Sequence, residues 1–190
     1  ARSRNSEGGT GTSPLDPGCG RGGGLIEYPY YGASSLSGVD LLADRVAEAK
    51  APLPQAVLSC ADGQRLPFAS DRFDLVMQYT AFSSVLDGGV KANMAREMLR
   101  VLRPDGLILW YDFWLNPTNR QTRGIRPAEI RRLFPNCTYT FRRVTLAPPI
   151  ARRLVRVSWL ASGLLEKLRL FNTHYLVAIH KGSSPTEDIS

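Results

Sequence analysis

Short apolar runs alternate with amphipathic stretches through the first 110 residues. Leu36-Ser37-Gly38-Val39-Asp40 has the length of a buried strand and closes on a carboxylate. Leu41 to Lys50 follows with Leu42, Val46 and Ala49 at helical spacing, and Pro52 and Pro54 stop it. Ala56 to Cys60 is a further strand-length run, closed by Ala61-Asp62-Gly63, and Phe73 to Tyr79 is the next. Asp87-Gly88-Gly89 precedes a helix over about Val90 to Leu102, whose buried side is expected to hold Met94, Met98, Leu99, Val101 and Leu102. Arg103-Pro104-Asp105-Gly106 then predicts a turn, with Leu107 to Tyr111 as a strand of the continuous apolar kind found inside parallel sheets.

The organisation changes after Tyr111. Pro127 to Phe134 predicts a short helix with proline in its first turn, Thr138 to Leu146 a strand, and Thr173 to Lys181 a closing strand. Between them, Ile150 to Leu170 reads as a basic amphipathic helix. Residues 1–13 and 183–190 are too polar to bury anything and are expected to be disordered tails, which leaves 14–182 as a single domain with 114–171 as a basic, substrate-side segment. Strands alternating with helices imply right-handed crossovers and a mostly parallel sheet covered on both faces. Ligands of such a sheet sit beyond the carboxyl ends of its strands, where Asp16, Asp40, Asp62 and Gln78 fall.

Composition adds a charge asymmetry. The 190 residues carry a net charge of +7, with 43% hydrophobic and 22% charged residues, as in an ordinary folded protein. Arg120, Arg123, Arg126, Arg131, Arg132, Arg142, Arg143, Arg152, Arg153 and Arg156 crowd the last third. That favours either an anionic partner there, whether a phosphorylated substrate, a membrane surface or RNA, or simply a solvated basic face. Cys19, Cys60 and Cys137 lack metal-ligand spacing and cannot all pair, so no metal is expected and a reducing compartment is. No apolar run has the length of a membrane span and no secretory pattern opens the chain, which points to the cytoplasm; the chain starts without methionine, which suggests a trimmed or incomplete N-terminus.

The candidate chemistry centres on Leu15-Asp16-Pro17-Gly18-Cys19-Gly20-Arg21-Gly22. A tight strand-to-helix turn with bare backbone suits two kinds of cofactor, and Gly18 to Gly23 also satisfies the dinucleotide pattern. A pyrophosphate would be repelled by Asp16, whereas the ammonium of a sulfonium ligand such as S-adenosylmethionine would be held by it. Asp40 can accept from ribose hydroxyls in either case, and Asp62 is placed to accept from an adenine amine. Together with Gly38-Val39-Asp40-Leu41, Ala61-Asp62-Gly63, Leu66-Pro67-Phe68, Phe73-Asp74-Leu75-Val76 and Glu97-Met98-Leu99-Arg100-Val101-Leu102-Arg103-Pro104-Asp105-Gly106, this turn resembles the successive motifs of class I S-adenosylmethionine-dependent methyltransferases of the type 11 branch.

The resemblance, which runs from about residue 14 to 113, implies a Rossmann-like α/β fold with a seven-stranded sheet in the order 3-2-1-4-5-7-6, its last strand antiparallel. It implies that Asp16, Gly18, Cys19, Gly20 and Gly22 cradle the methionine moiety. Asp40 and Leu41 would then meet the ribose and the adenine face, Ala61 and Asp62 the adenine edge, and Gln78 the methionine arm. Pro14, Pro17 and Pro29 depart from the family pattern, and the lid helix expected ahead of the first motif is missing from the sequence. Methyl transfer needs alignment more than a fixed catalytic group, so Tyr111, Asp112 and His174 at the strand ends are the candidates for proton handling. The reading is methyl transfer to a small or lipid-linked metabolite. The alternative is a non-catalytic module that uses the arginine-rich surface for an anionic partner. Nucleic acid is the less expected partner, and residues 150–170 are a candidate peripheral membrane contact through Arg152, Arg153, Arg156, Lys167 and Arg169.

Overall fold

The computed structural model describes residues 12–26, 35–115, 119, 121–146 and 172–182. The described elements are β1 (Pro14–Asp16), β2 (Ser37–Asp40), α1 (Ala43–Lys50), β3 (Val57–Cys60), β4 (Phe73–Tyr79), α2 (Gly88–Val101), β5 (Leu102–Phe113), α3 (Pro127–Leu133), β6 (Cys137–Leu146) and β7 (Asn172–Lys181), with a 3-10 turn at Phe82–Ser84. The strands form one seven-stranded sheet in the order β3-β2-β1-β4-β5-β7-β6. The first five pair in parallel, while β7 runs antiparallel to both β5 and β6. The order and the mostly parallel sense agree with the sequence expectation.

Strand alternation divides the core in two. Val76, Ile108, Trp110, Val177 and Ile179 point to the face covered by α2 and α3, where they meet Met94, Ala95, Met98, Val101 and Ile130. Trp110 is fully buried there, with its ring 4.7 Å from that of Phe82 and 5.8 Å from that of Phe134. Leu58 and Met77 point to the opposite face and pack with Val46 and Ala49 of α1, and with Cys19, Leu25 and Leu53. Burying each large side chain contributes about 1.5 to 3 kcal/mol, which is how α1 and α2 hold the sheet rigid beneath its strand ends.

Pro14 belongs to the central strand, opposite Leu75 of β4; it is the first strand residue, where a missing N–H interrupts the ladder least. One expectation is corrected: the segment Arg103 to Gly106 is not a separate turn. Phe73 pairs with Leu102 and Leu75 with Leu107, so β5 starts directly where α2 ends and carries the proline and glycine as a bulge. The start of α2 is set by Asp87, whose Oδ1 accepts from the N–H groups of Gly89 at 2.7 Å and Val90 at 3.0 Å.

The Glu97 and Arg100 side chains clamp the loop before β4. The Leu66 N–H donates to Glu97 at 2.7 Å, and Arg100 donates to the carbonyls of Phe68 at 2.9 Å and Leu66 at 3.2 Å. Among the described residues no helix is long and apolar enough to cross a membrane. Residues 1–11 of the expected tail, Pro29, the basic helix at 150–170 and the tail at 183–190 lie outside the described residues.

Candidate active site

The turn after β1 is built by backbone donors closing on two carboxylates. The Gly18 N–H donates to Asp16 Oδ1 at 3.0 Å, and the Gly20 N–H reaches across to Asp40 Oδ2 at 2.9 Å. Asp40 Oδ1 accepts from Leu42 at 3.0 Å, so this carboxylate fastens the ends of both β1 and β2. Gly20 and Gly22 adopt positive φ of 52° and 83°. A Cβ on Gly22 would lie 2.9 Å from Leu53, so that glycine lets the turn rest on α1. It does not line the cavity described next.

A cavity of about 780 Å³ opens over these strand ends. Asp16, Gly18, Cys19, Gly20, Asp40, Leu41 and Asp62 all line it. Leu41 is 67% exposed and offers it a bare apolar surface. Asp62 closes a local turn by accepting from the backbone and side-chain amides of Gln64 at 2.8 and 3.1 Å. Ala61 does not line the cavity, because its N–H is spent on the Asp40 carbonyl at 3.0 Å and its methyl packs on the core. Cys19 is buried against Gly38, and burial together with Asp16 and Asp40 pushes its thiol up to about 12, so it is not a nucleophile.

Asp16 is 1% exposed. Burial is the main cause that raises its carboxyl to about 7, opposed by the Gly18 N–H and reinforced by the negative charge of Asp40. Gln78, also 1% exposed, donates its amide to Asp112 at 2.7 Å, and its Oε1 has no hydrogen-bond partner among the described residues. Gln78 lines a smaller cavity of about 230 Å³ with Met77, Tyr79, Leu109, Tyr111 and Leu176. The two cavities share Gly23, Gly24 and Tyr79.

The three candidates for proton handling do not converge. Tyr111 lines the smaller cavity, and its ring is stacked between Tyr79, 4.6 Å away, and His174, 4.7 Å away. Its hydroxyl shares a 2.7 Å hydrogen bond with Thr145, and burial raises its pKa. His174 lies behind it, 4% exposed, against Phe113 at 3.9 Å and with Nδ1 3.1 Å from the Thr173 hydroxyl. Burial lowers the imidazole to about 4, so it is neutral at ordinary pH.

Asp112 follows Tyr111 on the same strand and therefore points to the other face. It is 1% exposed and accepts from Gln78, from the Ser83 N–H at 3.0 Å and from the Phe113 N–H at 2.8 Å. Burial raises its pKa against those donors. It lines neither cavity.

Several lining residues escaped the sequence reading. Gly23 and Gly24 line both cavities; a Cβ on Gly24 would stand 3.0 Å from Asp16 Oδ2. The uninterrupted run Gly22-Gly23-Gly24 was the available signal. Thr80, Ala81, Ser84 and Val85, from the loop after β4, and Val90 and Met94, from α2, complete the wall. Their apolar or small side chains carry no chemical signature, so only the fold reveals them.

Residues 15–110 match the family model described as Methyltransferase domain. A 2-methyl-6-phytyl-1,4-hydroquinone methyltransferase from Synechocystis sp. is 32% identical over 127 residues, covering 58% of this chain and 39% of its own length. An uncharacterized protein from Haemophilus influenzae is 30% identical over 114 residues, 57% of this chain and 45% of its own. The chain thus spans less than half the length of these curated relatives. Among solved structures, a SAM-dependent methyltransferase from Methanosarcina mazei superposes with a TM-score of 0.67 at 16% identity, covering 90% of this chain and 93% of the other. That likeness speaks for the fold alone.

Proposed function

The chain belongs to the methyltransferase-domain family, and from that premise we propose that it transfers a methyl group from S-adenosylmethionine to a small or lipid-linked metabolite. The observation that carries this reading is the junction of two cavities at Gly23, Gly24 and Tyr79, one lined by strand-end acids and the other by apolar and aromatic side chains.

The donor set supports the fit to the cofactor. Asp16 is an acceptor suited to an ammonium group. Asp40 keeps lone pairs for ribose hydroxyls beyond those used by Gly20 and Leu42, Leu41 offers a shelf for the adenine face, and Asp62 an acceptor for its amine. Gly24 leaves open the space that a Cβ would fill beside Asp16. When bound, S-adenosylmethionine would supply an electrophilic methyl carbon, with S-adenosylhomocysteine as the leaving group. The cavity size lies within the usual range for such ligands.

The smaller cavity is the acceptor side. Its wall of Met77, Leu109, Leu176 and the stacked Tyr79 and Tyr111 suits a flat, apolar ring, and the hydroquinone named for the Synechocystis relative is of that class. Tyr111 is the proton-handling group in reach of an acceptor and, holding its own proton, it orients the acceptor by hydrogen bonding. His174 positions Tyr111 through the stack, and Asp112 positions Gln78. Calorimetry of the intact protein with S-adenosylmethionine and S-adenosylhomocysteine tests the reading, with saturable binding expected; no detectable binding of either would overturn it. A transfer assay with radiolabelled cofactor and a prenylated hydroquinone then tests the acceptor class.

A further inference from the structure

A third cavity, of about 670 Å³, lies between α3 and residues 114, 115, 122–124 and 126. It shares no residue with the two cavities above. Arg123, Arg126 and Arg132 line it together with Trp114 and Glu129. Glu129 is the sole acid in the sequence between Phe113 and Leu165. Its charge is already committed: Lys91 of α2, with a side chain 3% exposed, donates to Glu129 at 2.9 Å. None of the three arginines has an acidic partner among the described residues. All three are exposed, and an anion bound among them would be attracted by each charge.

Backbone hydrogen bonds hold the wall that carries Arg123. The Arg123 N–H donates to the Ser83 carbonyl at 2.8 Å and the Ile125 N–H to the Phe113 carbonyl at 2.8 Å. Between them Gly124 is pressed so close to the Trp114 carbonyl that a Cβ would collide with it, and Trp114 Nε1 is tied to the Asn172 carbonyl at 2.7 Å.

We propose that this cavity binds the phosphate groups of a small soluble ligand. Planar guanidinium forks match phosphate oxygens two at a time, and three of them balance a diphosphate more nearly than a single carboxylate. A hollow of this size admits a small molecule, whereas a membrane surface would meet only its rim. The site is tied to elements that also border the large cavity: Ser84 and Val90 line that cavity, while their sequence neighbours Ser83 and Lys91 bond to Arg123 and Glu129.

Inorganic pyrophosphate titrated calorimetrically into the full chain tests the site. One saturable site, weakening as salt rises, is expected. Binding should fall at least tenfold in R126A/R132A and in the single reversal R132E, but hold in K50A/R142A, which removes two cations elsewhere on the surface. S-adenosylhomocysteine titrated into the same samples reports folding and the cofactor site separately. No pyrophosphate binding by wild type, equal binding in R132E that still binds S-adenosylhomocysteine, or full displacement of pyrophosphate by phosphatidylglycerol vesicles overturns the proposal. Loss of S-adenosylhomocysteine binding alone would count against the methyl-transfer reading and leave this site standing.

Discussion

Asp16 and Asp40 stand at the ends of adjacent parallel strands and face one cavity, and the charge on Asp40 helps burial to hold Asp16 at a pKa of about 7. The unfolded chain releases that proton near 3.8, so folding keeps a proton that the unfolded state has lost. The stability this contributes is full below pH 3.8 and is lost as pH rises towards 7, on the order of 4 kcal/mol in all. D16N, which stays neutral, is expected to melt higher than wild type at pH 8 while binding S-adenosylmethionine more weakly. For wild type, cofactor affinity should rise from pH 6 to pH 8 as Asp16 ionises. Thermal melts and calorimetry across that range check both signs. His174 acts in the opposite sense: with its imidazole lowered to about 4, it contributes stability above pH 6.5 that is lost as pH falls towards 4, and this trend should emerge in D16N.

Asp40→Ala is expected to weaken cofactor binding by about 1 to 3 kcal/mol, through loss of charge-assisted hydrogen bonds. Asp40 also supports the Gly20 and Leu42 N–H groups, so part of that loss would come from the turn itself. Asp40→Asn retains an acceptor oxygen for the turn and separates the two contributions. Affinity unchanged in D40A would place the ribose elsewhere.

The strand-end acids were legible because a carboxylate closing an apolar run is a strong local signal, and Asp16, Asp40 and Asp62 do line one cavity. Roles set by register were not. Asp112 pairs with Tyr175 and His174 with Phe113, so strand alternation puts them on opposite faces although both sit at strand ends. Ala61 was the right strand end, but its one donor is taken by the Asp40 carbonyl. The bulge at Arg103 to Gly106 was hidden because proline and glycine mark bulges and turns alike, and only the pairing to Phe73 and Leu75 distinguishes them.

Cys19 and Cys60 should differ sharply in reactivity. Cys19 is buried beside two carboxylates with its thiol pushed up to about 12, whereas Cys60 is exposed at the end of β3. Iodoacetamide at pH 8 is expected to label Cys60 within minutes and to leave Cys19 unmodified until the chain is denatured. Peptide mass spectrometry reads this directly, and rapid native labelling of Cys19 would mean that the glycine turn opens in solution.

Arg100→Ala tests what the Glu97 to Gly106 motif does physically. Arg100 ties α2 to the Leu66 and Phe68 carbonyls, and it is the chief reason that the Glu97 carboxyl lies below its ordinary value, with the Leu66 N–H adding to the effect. Removing it leaves Glu97 with the Leu66 N–H alone and frees the loop that carries Gly63 and Gln64 along the cavity wall. A loss of about 2 kcal/mol is expected, which lowers Tm by about 5 °C in a domain of this size. Because the Glu97 contribution is present above its unfolded pKa and lost as pH falls through the folded one, the gap between wild type and R100A should narrow in acid. Melts at pH 7 and pH 3.5 measure it, and an equal gap at both would show that Arg100 acts by packing and not by its bond to Glu97.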